Sequence, residues 1–510
     1  MALGTLASRL TGFVRTLVIG VAIGVTVGDA YNAANTIPNI IYELLLGGVL
    51  TSVVVPLLVA RAGSDPDGGE AYAQRLLTLV VVVLGGASLL AVVLAPWIIH
   101  LYIGQGPRIS ARGQLATLFA RFFLPQILFY GIGALLGAIL NARGSFARPM
   151  WAPVLNNVVV IATGLLFMAV TSPALVNGGI LTTGQQLILA IGTTLGIVAQ
   201  TVALLPALRE TGFRLRLRWG FRGVGLSRAG GTAGWVLVYV LANQAAFLVI
   251  TRLAWASHYG GTRGGAFTVY TNAFILVLLP HSVVAVSVIT ALLPQMSREA
   301  MEGRLSEVAA DLAGGLKLAA VLLVPAALAG VALGPLIGAA LFAHRSLTLS
   351  TGRLIGATLA AYSVSLLPFS AFQLQLRAFY ALQDTRTPAL INIVLAVINV
   401  LADAVLFILL PAREQVVGLA LGYSLSYFVG FAWFTVLLER RLGRPPAAHV
   451  TRTIVRLTVA AGAAVGAAGS LVGLVAGAAV GTPLYVALIL RMRVPEVRQV
   501  AAVAKAPWKV

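Results

Sequence analysis

Charged side chains within apolar stretches are the residues of this sequence best suited to bind a charged ligand. Arg9 and Arg15 lie in the first apolar run, and Glu43 lies in the second. A charge at the centre of a membrane-length helix costs about 2.5–3.5 kcal/mol on insertion scales unless it faces a bundle interior or a wet cavity. A guanidinium group stays charged, and its planar donors fit a pyrophosphate. We expect these residues to line a cavity for such an anion. In the alternative reading, Arg9 snorkels to the membrane interface and only Arg15 lies deep.

A second candidate site is an acidic residue in a later apolar run. Asn399 and Asp403 are four residues apart, so they share one face of a helix. Oxygen ligands on that face would suit Na⁺, and Asn243 in another run would supply a third ligand. In the alternative reading, Asp403 pairs with a neighbouring arginine or lies near the membrane boundary, and no ion binds there.

Catalytic chemistry has few candidates in this chain. The absence of cysteine excludes disulfides and thiolate nucleophiles, and the five histidines have no metal-ligand spacing. No nucleophile–base set or phosphate-binding loop is present, so we expect no enzyme and no cofactor other than a coupling Na⁺ or H⁺. Buried amides are expected to join helices by hydrogen bonds. These amides are Gln126, Asn156, Asn157, Gln373 and Gln375.

Composition indicates which elements must position these residues. The 510 residues are 59% hydrophobic and 10% charged, with a mean hydropathy of +0.96. Soluble domains have about 45–50% apolar and about 25% charged residues, so the sequence predicts an all-α polytopic membrane protein. A span needs about 20 apolar residues, and this rule gives about fourteen transmembrane helices. We place them near residues 4–26, 37–60, 76–101, 115–140, 151–171, 185–207, 232–255, 266–292, 315–342, 354–380, 388–409, 415–438, 451–470 and 472–491.

Loop charge predicts the orientation. Arginine is concentrated in alternate loops, which the positive-inside rule places in the cytoplasm together with both termini. The net charge of +20 is explained by these loops, so no nucleic-acid partner is expected. The most basic loop, residues 209–230, alternates arginine with apolar residues, which predicts an amphipathic segment on the inner leaflet.

An internal repeat predicts the domain organisation. The stretch 137–161 parallels 378–402, with an alanine and a proline at the same spacing in each copy. Such repeats imply two related lobes around a central site. We predict two pseudo-symmetric six-helix lobes, a linker, a C-terminal helix pair and a cytoplasmic tail. Their bounds are 1–208 for the N-lobe, 209–230 for the linker, 231–444 for the C-lobe, 445–492 for helices 13–14 and 493–510 for the tail.

The N-terminal motifs resemble those of a transporter family. They are SR-x2-GF-x-R from Ser8, DA-x7-PN from Asp29, and the GG and VP pairs that follow. This combination resembles the MurJ/MviN lipid II flippases of the multidrug/oligosaccharidyl-lipid/polysaccharide exporter superfamily, and its detail is similar to actinobacterial members. The pseudokinase-like extension of many actinobacterial relatives is not expected here. The resemblance implies transport of lipid II, and it implies that helices 13–14 form a groove for its polyprenyl tail.

The resemblance also implies roles for individual residues. Arg9 and Arg15 match the two arginines of the first family span, and Asp29 matches the acidic residue of the periplasmic gate. Many family members have one further arginine in span 2 and one in span 8 of the cavity, and this chain lacks both. Arg252 in span 7 is a candidate substitute, and its alternative position is near the outer interface. We further predict a gate pair between Asp29 and Arg263, because pseudo-symmetry sets their loops opposite each other.

The sequence therefore predicts a flippase that moves lipid II, an undecaprenyl- or decaprenyl-diphosphate-linked saccharide, across the bacterial cytoplasmic membrane by alternating access. Membrane lipids and cell-wall synthesis proteins are the other expected partners. Three alternatives stay open at this stage. They are an exporter of another polyprenyl-linked oligosaccharide or of drugs, a membrane enzyme acting on polyprenyl phosphates, and a non-transporting cell-wall scaffold.

Overall fold

A computed structural model describes residues 2–44, 57–58, 61, 65–104, 110–220, 230–259, 262–263, 265–443, 447–469 and 482–488. Helices dominate this part of the chain, so the all-α class is confirmed. They are α1 (Ala2–Leu44), α2 (Glu70–Val93), α3 (Ala95–Ile103), α4 (Ala111–Phe123), α5 (Gln126–Ala142), α6 (Ala147–Val170), α7 (Pro173–Gly178), α8 (Thr183–Val202), α9 (Leu204–Glu210), α10 (Gly230–Ala256), α11 (Ala266–Met301), α12 (Leu305–Phe342), α13 (Leu349–Ser363), α14 (Leu366–Ala381), α15 (Arg386–Leu409), α16 (Gln415–Leu442) and α17 (Ala447–Gly469). A two-residue antiparallel pair, β1 (His258–Tyr259) and β2 (Thr262–Arg263), precedes α11.

Ten helices in the described residues are long and apolar enough to cross a membrane, and α13 with α14 forms an eleventh candidate bent by 48°. Much of the second predicted span (37–60) and of the fourteenth (472–491) lies outside the described residues, as does the tail 493–510. The count of fourteen therefore stays a prediction.

The first helix differs from the prediction of two spans, 4–26 and 37–60, which leaves residues 27–36 as a link between them. Helix α1 is interrupted at Gly24, whose φ of 61° and ψ of −164° are non-helical, and the helix then resumes and continues to Leu44. Glycine adopts this positive φ without a steric penalty. The stretch that was expected to be a link is helical, so Asp29 lies within a helix and not in a loop.

Contacts divide the chain into two compact units. The first comprises residues 1–268 with 344–347, and the second comprises 269–343 with the chain from 348 onward. Helix α10 packs on α1 and α3 in the first unit. The predicted C-lobe begins at residue 231, the second residue of α10, and so includes this helix, whereas the contacts assign α10 to the first unit. The contact units therefore divide the chain differently from the predicted lobes. The lobe boundaries stay a prediction.

The first unit is held together by aromatic packing and by polar groups that join its helices. Tyr31 of α1 packs edge-on against Phe119 and Phe123 of α4, and its hydroxyl lies 2.9 Å from Thr193 Oγ1 of α8. Gln126 Nε2 donates to Thr194 Oγ1 at 2.9 Å. The expectation that Gln126 joins helices is confirmed.

The second unit contains a close helix pair built on glycine. A Cβ added to Gly338 of α12 would lie 2.3 Å from the carbonyl oxygen of Gly352 on α13. A Cβ on Gly356 would lie 2.0 Å from the carbonyl oxygen of Gly334. Each helix thus carries a G-x3-G motif at the contact, and the missing side chains let the two backbones approach closely. Close packing of this kind stabilises helix pairs in a membrane, where the hydrophobic effect does not drive helices together.

The sequence repeat corresponds to repeated elements. Helix α5 ends at Ala142 and α6 begins at Ala147, while α14 ends at Ala381 and α15 begins at Arg386. Both α6 and α15 have 24 residues and carry a proline in the first turn, and α6 has a second proline, Pro153, further along. Proline is tolerated there because the first amides of a helix have no intrahelical acceptor.

Candidate functional site

Helix α1 carries the two arginines of the N-terminal motif. Both side chains are half-buried, and neither guanidinium group has an ion pair or hydrogen bond to a described residue. Six helical residues separate Arg9 and Arg15 by about 120° around the axis and about 9 Å along it. They therefore project in different directions from α1, so a shared ligand would have to bridge two sides of the helix.

Neighbouring polar groups fix the rotation of α1 between these arginines. Asn157 of α6 donates through Nδ2 to the carbonyl oxygen of Ser8 and to Thr11 Oγ1, both at 3.0 Å. Gly12 has no side chain and packs against the same amide group. Asn157 therefore joins two helices, as the sequence predicts, and it holds the part of α1 that presents Arg9 and Arg15.

The other two residues predicted to bind substrate lie elsewhere. Glu43 is in the last turn of α1, and its side chain lies outside the described part of the chain. Arg252 is exposed on α10, and its Nε donates at 2.7 Å to the carbonyl oxygen of Leu101. That carbonyl is near the end of α3, where the last C=O groups have no intrahelical donor. Arg252 thus stabilises a helix C-terminus, and a role in substrate binding stays a prediction.

Asp29 is fully buried and binds the start of α11. Its Oδ2 accepts the backbone N–H of Gly265 at 2.5 Å. Its Oδ1 accepts both the backbone N–H and the hydroxyl of Thr268 at 2.8 Å. The first amides of a helix lack intrahelical acceptors and carry partial positive charge, so a carboxylate is a favourable cap there. Asp29 acts as a helix cap supplied by a distant part of the chain. The side chain of Arg263 lies outside the described residues, so the gate pair stays a prediction.

In the second unit, Asn399 and Asp403 lie on one face of α15, as predicted. Asn399 Nδ2 donates to Asp403 Oδ2 at 3.0 Å, and Asp403 has no exposed surface. Asp403 Oδ1 has no hydrogen-bond partner among the described residues. The alternative prediction is that Asp403 pairs with an arginine. Among the described residues of this unit, Asp403 forms no ion pair. A buried carboxylate oxygen without a donor is costly unless a cation or proton binds it.

The surroundings of Asp403 are close-packed. A Cβ on Gly422 of α16 would lie 2.0 Å from Asp403 Oδ1, so only glycine fits opposite the carboxylate. Tyr270 and Tyr362 lie within electrostatic range of the acid, and their ring centroids are 5.3 Å apart. Asn243, the third predicted ligand, lies on α10 in the first unit, and its membership of the set stays a prediction.

This geometry partly fits a small cation. Asp403 supplies an unsatisfied carboxylate oxygen, and the Asn399 amide oxygen is on the same face of α15. Both are the hard oxygen ligands that alkali and alkaline-earth ions prefer. No group of three or more His, Cys, Asp or Glu side chains is assembled among the described residues. A cation here would therefore need amide, carbonyl or hydroxyl ligands, and a proton would need only the carboxylate.

Sequence reasoning missed Gly422 and the Gly265–Thr268 amides. Gly422 is one of 54 glycines, and no local pattern marks it. The amide donors at residues 265 and 268 are backbone groups, which a sequence does not distinguish. The helical start at Ala266 is the signal that could have identified them, because every helix N-terminus needs acceptors.

Comparisons with known proteins agree with this architecture. A family model described as lipid II flippase MurJ matches residues 19–486. A probable lipid II flippase MurJ from Vibrio cholerae is 28% identical over 462 residues, covering 88% of this chain and 83% of the relative. A solved structure titled lipid II flippase MurJ, inward closed conformation, has a TM-score of 0.76 at 17% identity and covers 95% of this chain and 97% of its own. An inward-facing multidrug transporter of the MATE family has a TM-score of 0.68 at 18% identity, covering 86% and 98%.

The two structural similarities fall below 25% identity, so they support the fold alone. The family model covers most of the chain but begins at residue 19, so Arg9 and Arg15 lie outside the matched residues. The motif arginines are therefore supported by the sequence pattern and not by this match. The extent of the match is decisive for classification: the chain belongs to the MurJ family of lipid II flippases.

Proposed function

We propose that this chain transports lipid II across the cytoplasmic membrane by alternating access between two lobes. Membership of the MurJ family supports lipid II as the substrate. The observation that supports Arg15 as a substrate-binding residue is its lack of an anionic partner in the described part of the chain. Its half-buried guanidinium group lies within a membrane-length helix and has no anionic partner among the described residues. Such a group is costly unless it meets a counter-ion, and the diphosphate of lipid II would supply one.

The test compares three variants in a bacterium depleted of its own flippase. Arg15→Ala should insert and fold but fail to sustain growth or outer-leaflet lipid II. Arg15→Lys should restore little activity, because lysine lacks the planar fork of donors. Arg353→Ala, which removes an exposed arginine of α13, is the matched control and should behave as the wild type. Full activity of Arg15→Ala would refute the assignment.

We also propose that Asp403 couples transport to Na⁺ or H⁺. Burial and the unsatisfied Oδ1 support an acid that binds a cation in one state and releases it in another. Asp403→Asn keeps the shape and removes the charge, so it should abolish the dependence of transport on the ion gradient. Vesicle transport with imposed Na⁺ or pH gradients distinguishes the two ions. Unchanged gradient dependence in Asp403→Asn would remove the residue from the coupling scheme.

The lipid tail would bind along α17. Its Leu457 and Ala461 pack on Val321 of α12, while Val455 and Val459 on the other side are more than half exposed. Tyr485 donates to the carbonyl oxygen of Val321 at 2.6 Å and holds the segment after α17 to the same helix. The exposed valine face supports, as a proposal, the polyprenyl groove predicted for helices 13–14. No catalytic step is part of this proposal. The arginine distribution favours a cytoplasmic position for both termini, which is part of the same proposal.

A further inference from the structure

The extended segment after α9 is fixed along the first turns of α2. Arg214 N donates to Glu70 Oε1 at 3.2 Å, and Gln74 Nε2 donates to Arg214 O at 2.8 Å. Further along, Arg218 N donates to Thr78 Oγ1 at 2.7 Å. The three α2 residues are spaced by four and lie on one helical face, so they form a ladder that accepts an extended backbone. We call residues 214–219 the arginine strip.

Alternate side chains of the arginine strip have opposite chemistry. The odd positions are Leu215, Leu217 and Trp219, which are 39%, 64% and 70% exposed. The even positions are arginines, also exposed, and none forms an ion pair with a described residue. Successive side chains of an extended chain point to opposite faces. The strip therefore presents one apolar face and one cationic face, and its hydrogen-bonding edge is occupied by α2.

The position of the strip along α2 corresponds to the edge of a bilayer. From Glu70 to Val93, α2 extends about 36 Å at 1.5 Å per residue, whereas the hydrocarbon core is about 30 Å thick. The helix is therefore long enough to span the core with its first turn in the headgroup region. The strip covers the interval from Glu70 to Thr78, which is about 12 Å long. Its polar ladder would be unfavourable in hydrocarbon, so this end of α2 belongs to the headgroup region.

The charge around the strip is strongly positive. Arg75, Arg143 and Arg209 lie at the same end of this unit, and Arg143 donates to the carbonyl oxygen of Thr211 at 3.1 Å. Nearby carboxylates are already engaged. Glu210 pairs with Arg148 at 2.8 Å, and Asp67 caps the start of α2 through the amides of Gly69 and Ala71. Asp67 lies within electrostatic range of Arg218 but forms no ion pair with it, so the exposed strip arginines keep a net positive charge for an external anion.

We propose that the arginine strip is a binding surface for anionic phospholipids of the leaflet that contains the N-terminus of α2. The guanidinium groups of Arg214, Arg216 and Arg218 bind headgroup phosphates, and Leu217 and Trp219 insert between the acyl chains near the glycerol level. Tryptophan is favoured at this depth because its ring is apolar and its N–H is polar. The ladder on α2 holds the strip extended, so the surface is formed before lipid arrives.

Spin labelling tests this directly, because the chain has no cysteine. Leu217→Cys would be labelled in the purified full chain, reconstituted into vesicles of phosphatidylcholine with or without phosphatidylglycerol. The control is Glu302→Cys in the exposed turn after α11. In phosphatidylglycerol vesicles we expect the oxygen-to-nickel accessibility ratio at residue 217 to exceed both that at 302 and its own value in phosphatidylcholine vesicles, because oxygen partitions into the bilayer and the anionic surface attracts the arginines. The triple change Arg214→Gln, Arg216→Gln and Arg218→Gln should reduce this ratio to its phosphatidylcholine value.

Three results would overturn the proposal. Equal nickel accessibility at 217 and 302 would place the strip in water. The label at 217 could also be shielded from nickel equally in both vesicle types and with or without the glutamine changes. That result would indicate apolar contact with the bilayer without recognition of anionic lipids. Shielding from oxygen and nickel together would indicate that a protein surface covers the strip. None of these results depends on lipid II transport, so they are independent of the proposed function.

Discussion

Replacing Asp29 by asparagine should loosen the N-terminus of α11 without unfolding the protein. The carboxylate accepts three hydrogen bonds, from the amides of Gly265 and Thr268 and from the Thr268 hydroxyl. Asparagine has the same shape but only one oxygen, so its NH₂ group would face a backbone donor. One amide loses its acceptor, and the negative charge next to the positive end of α11 is removed.

The magnitude follows from the kind of bonds that are lost. A hydrogen bond to a charged group contributes about 1.5–3 kcal/mol, and a charge at a helix terminus contributes about 0.3–2 kcal/mol. The two contributions overlap, so we expect a loss of about 2–3 kcal/mol in the stability of the capped state. That corresponds to a roughly 30- to 150-fold larger open fraction, since 1.4 kcal/mol is a factor of ten.

Hydrogen exchange read by mass spectrometry measures this opening at the cap itself. Asp29→Asn should speed exchange in peptides that contain residues 265–268 by about 30-fold or more, with little change elsewhere. Thr268→Val keeps both amide bonds and should give a smaller increase. Thr182→Val removes a comparable cap from α8, where Thr182 Oγ1 accepts the amide of Gln185, and should affect only that helix.

Two results would refute the reasoning. Unchanged exchange at residues 265–268 in Asp29→Asn would show that the carboxylate does not hold α11. Faster exchange throughout the chain would show that Asp29 supports the fold as a whole and is not a local cap. If the local opening is observed and Asp29 belongs to the predicted gate, the same variant should also slow lipid II transport, because closure of the gate would be less favourable.

Three further predictions address other contacts. Arg345→Ala should lower the melting temperature by several degrees, because Arg345 donates to the carbonyl oxygens of Met168 and Thr171 at the end of α6; retained stability would contradict this. Burial raises the pKa of Asp384, but its hydrogen bonds from Thr387 and its ion pair with Arg441 hold that pKa below 3.8. The stability that this pair contributes is therefore fully present well above pH 4 and is lost progressively as pH falls through the lowered pKa. Arg441→Gln should destabilise the protein at pH 7, and by less and less as pH falls below about 4. Gly422→Ala should reduce stability by about 1–3 kcal/mol and remove ion coupling, whereas Gly462→Ala, which faces open space, should do neither.

Much of the helical framework could be predicted from composition and spacing. Apolar runs bounded by arginine loops located the long helices, since no other element satisfies its backbone within a bilayer. The amides Gln126 and Asn157 were correctly identified as groups that join helices. The spacing of Asn399 and Asp403 correctly placed both on one face, because the period of a helix is local information.

What could not be predicted depends on distant partners. The polar stretch after Gly24 resembles a loop in composition, but Asp29 and Asn32 are stabilised within a helix by Thr268, more than 230 residues away. The break itself falls at Gly24, where a positive φ is required, and the sequence offers many other glycines. Intrinsic helix propensity predicts a polar helix poorly when contacts with distant residues determine whether that helix is stable.

The two copies of the repeat support different roles for corresponding helices. Helix α6 carries the neutral residues Asn156, Asn157 and Thr163. Asn157 and Thr163 have hydrogen-bond partners in the first unit, and Asn156 Oδ1 has none among the described residues. Helix α15, which begins after the same four-residue loop, carries Asp403 with one oxygen unsatisfied. Neutral polar groups with partners cost a helix bundle little, whereas a buried carboxylate without a donor weakens it unless a cation or proton binds. The shared backbone explains the packing of both helices, and the difference between them supports the proposal that Asp403 in the second unit carries the coupling.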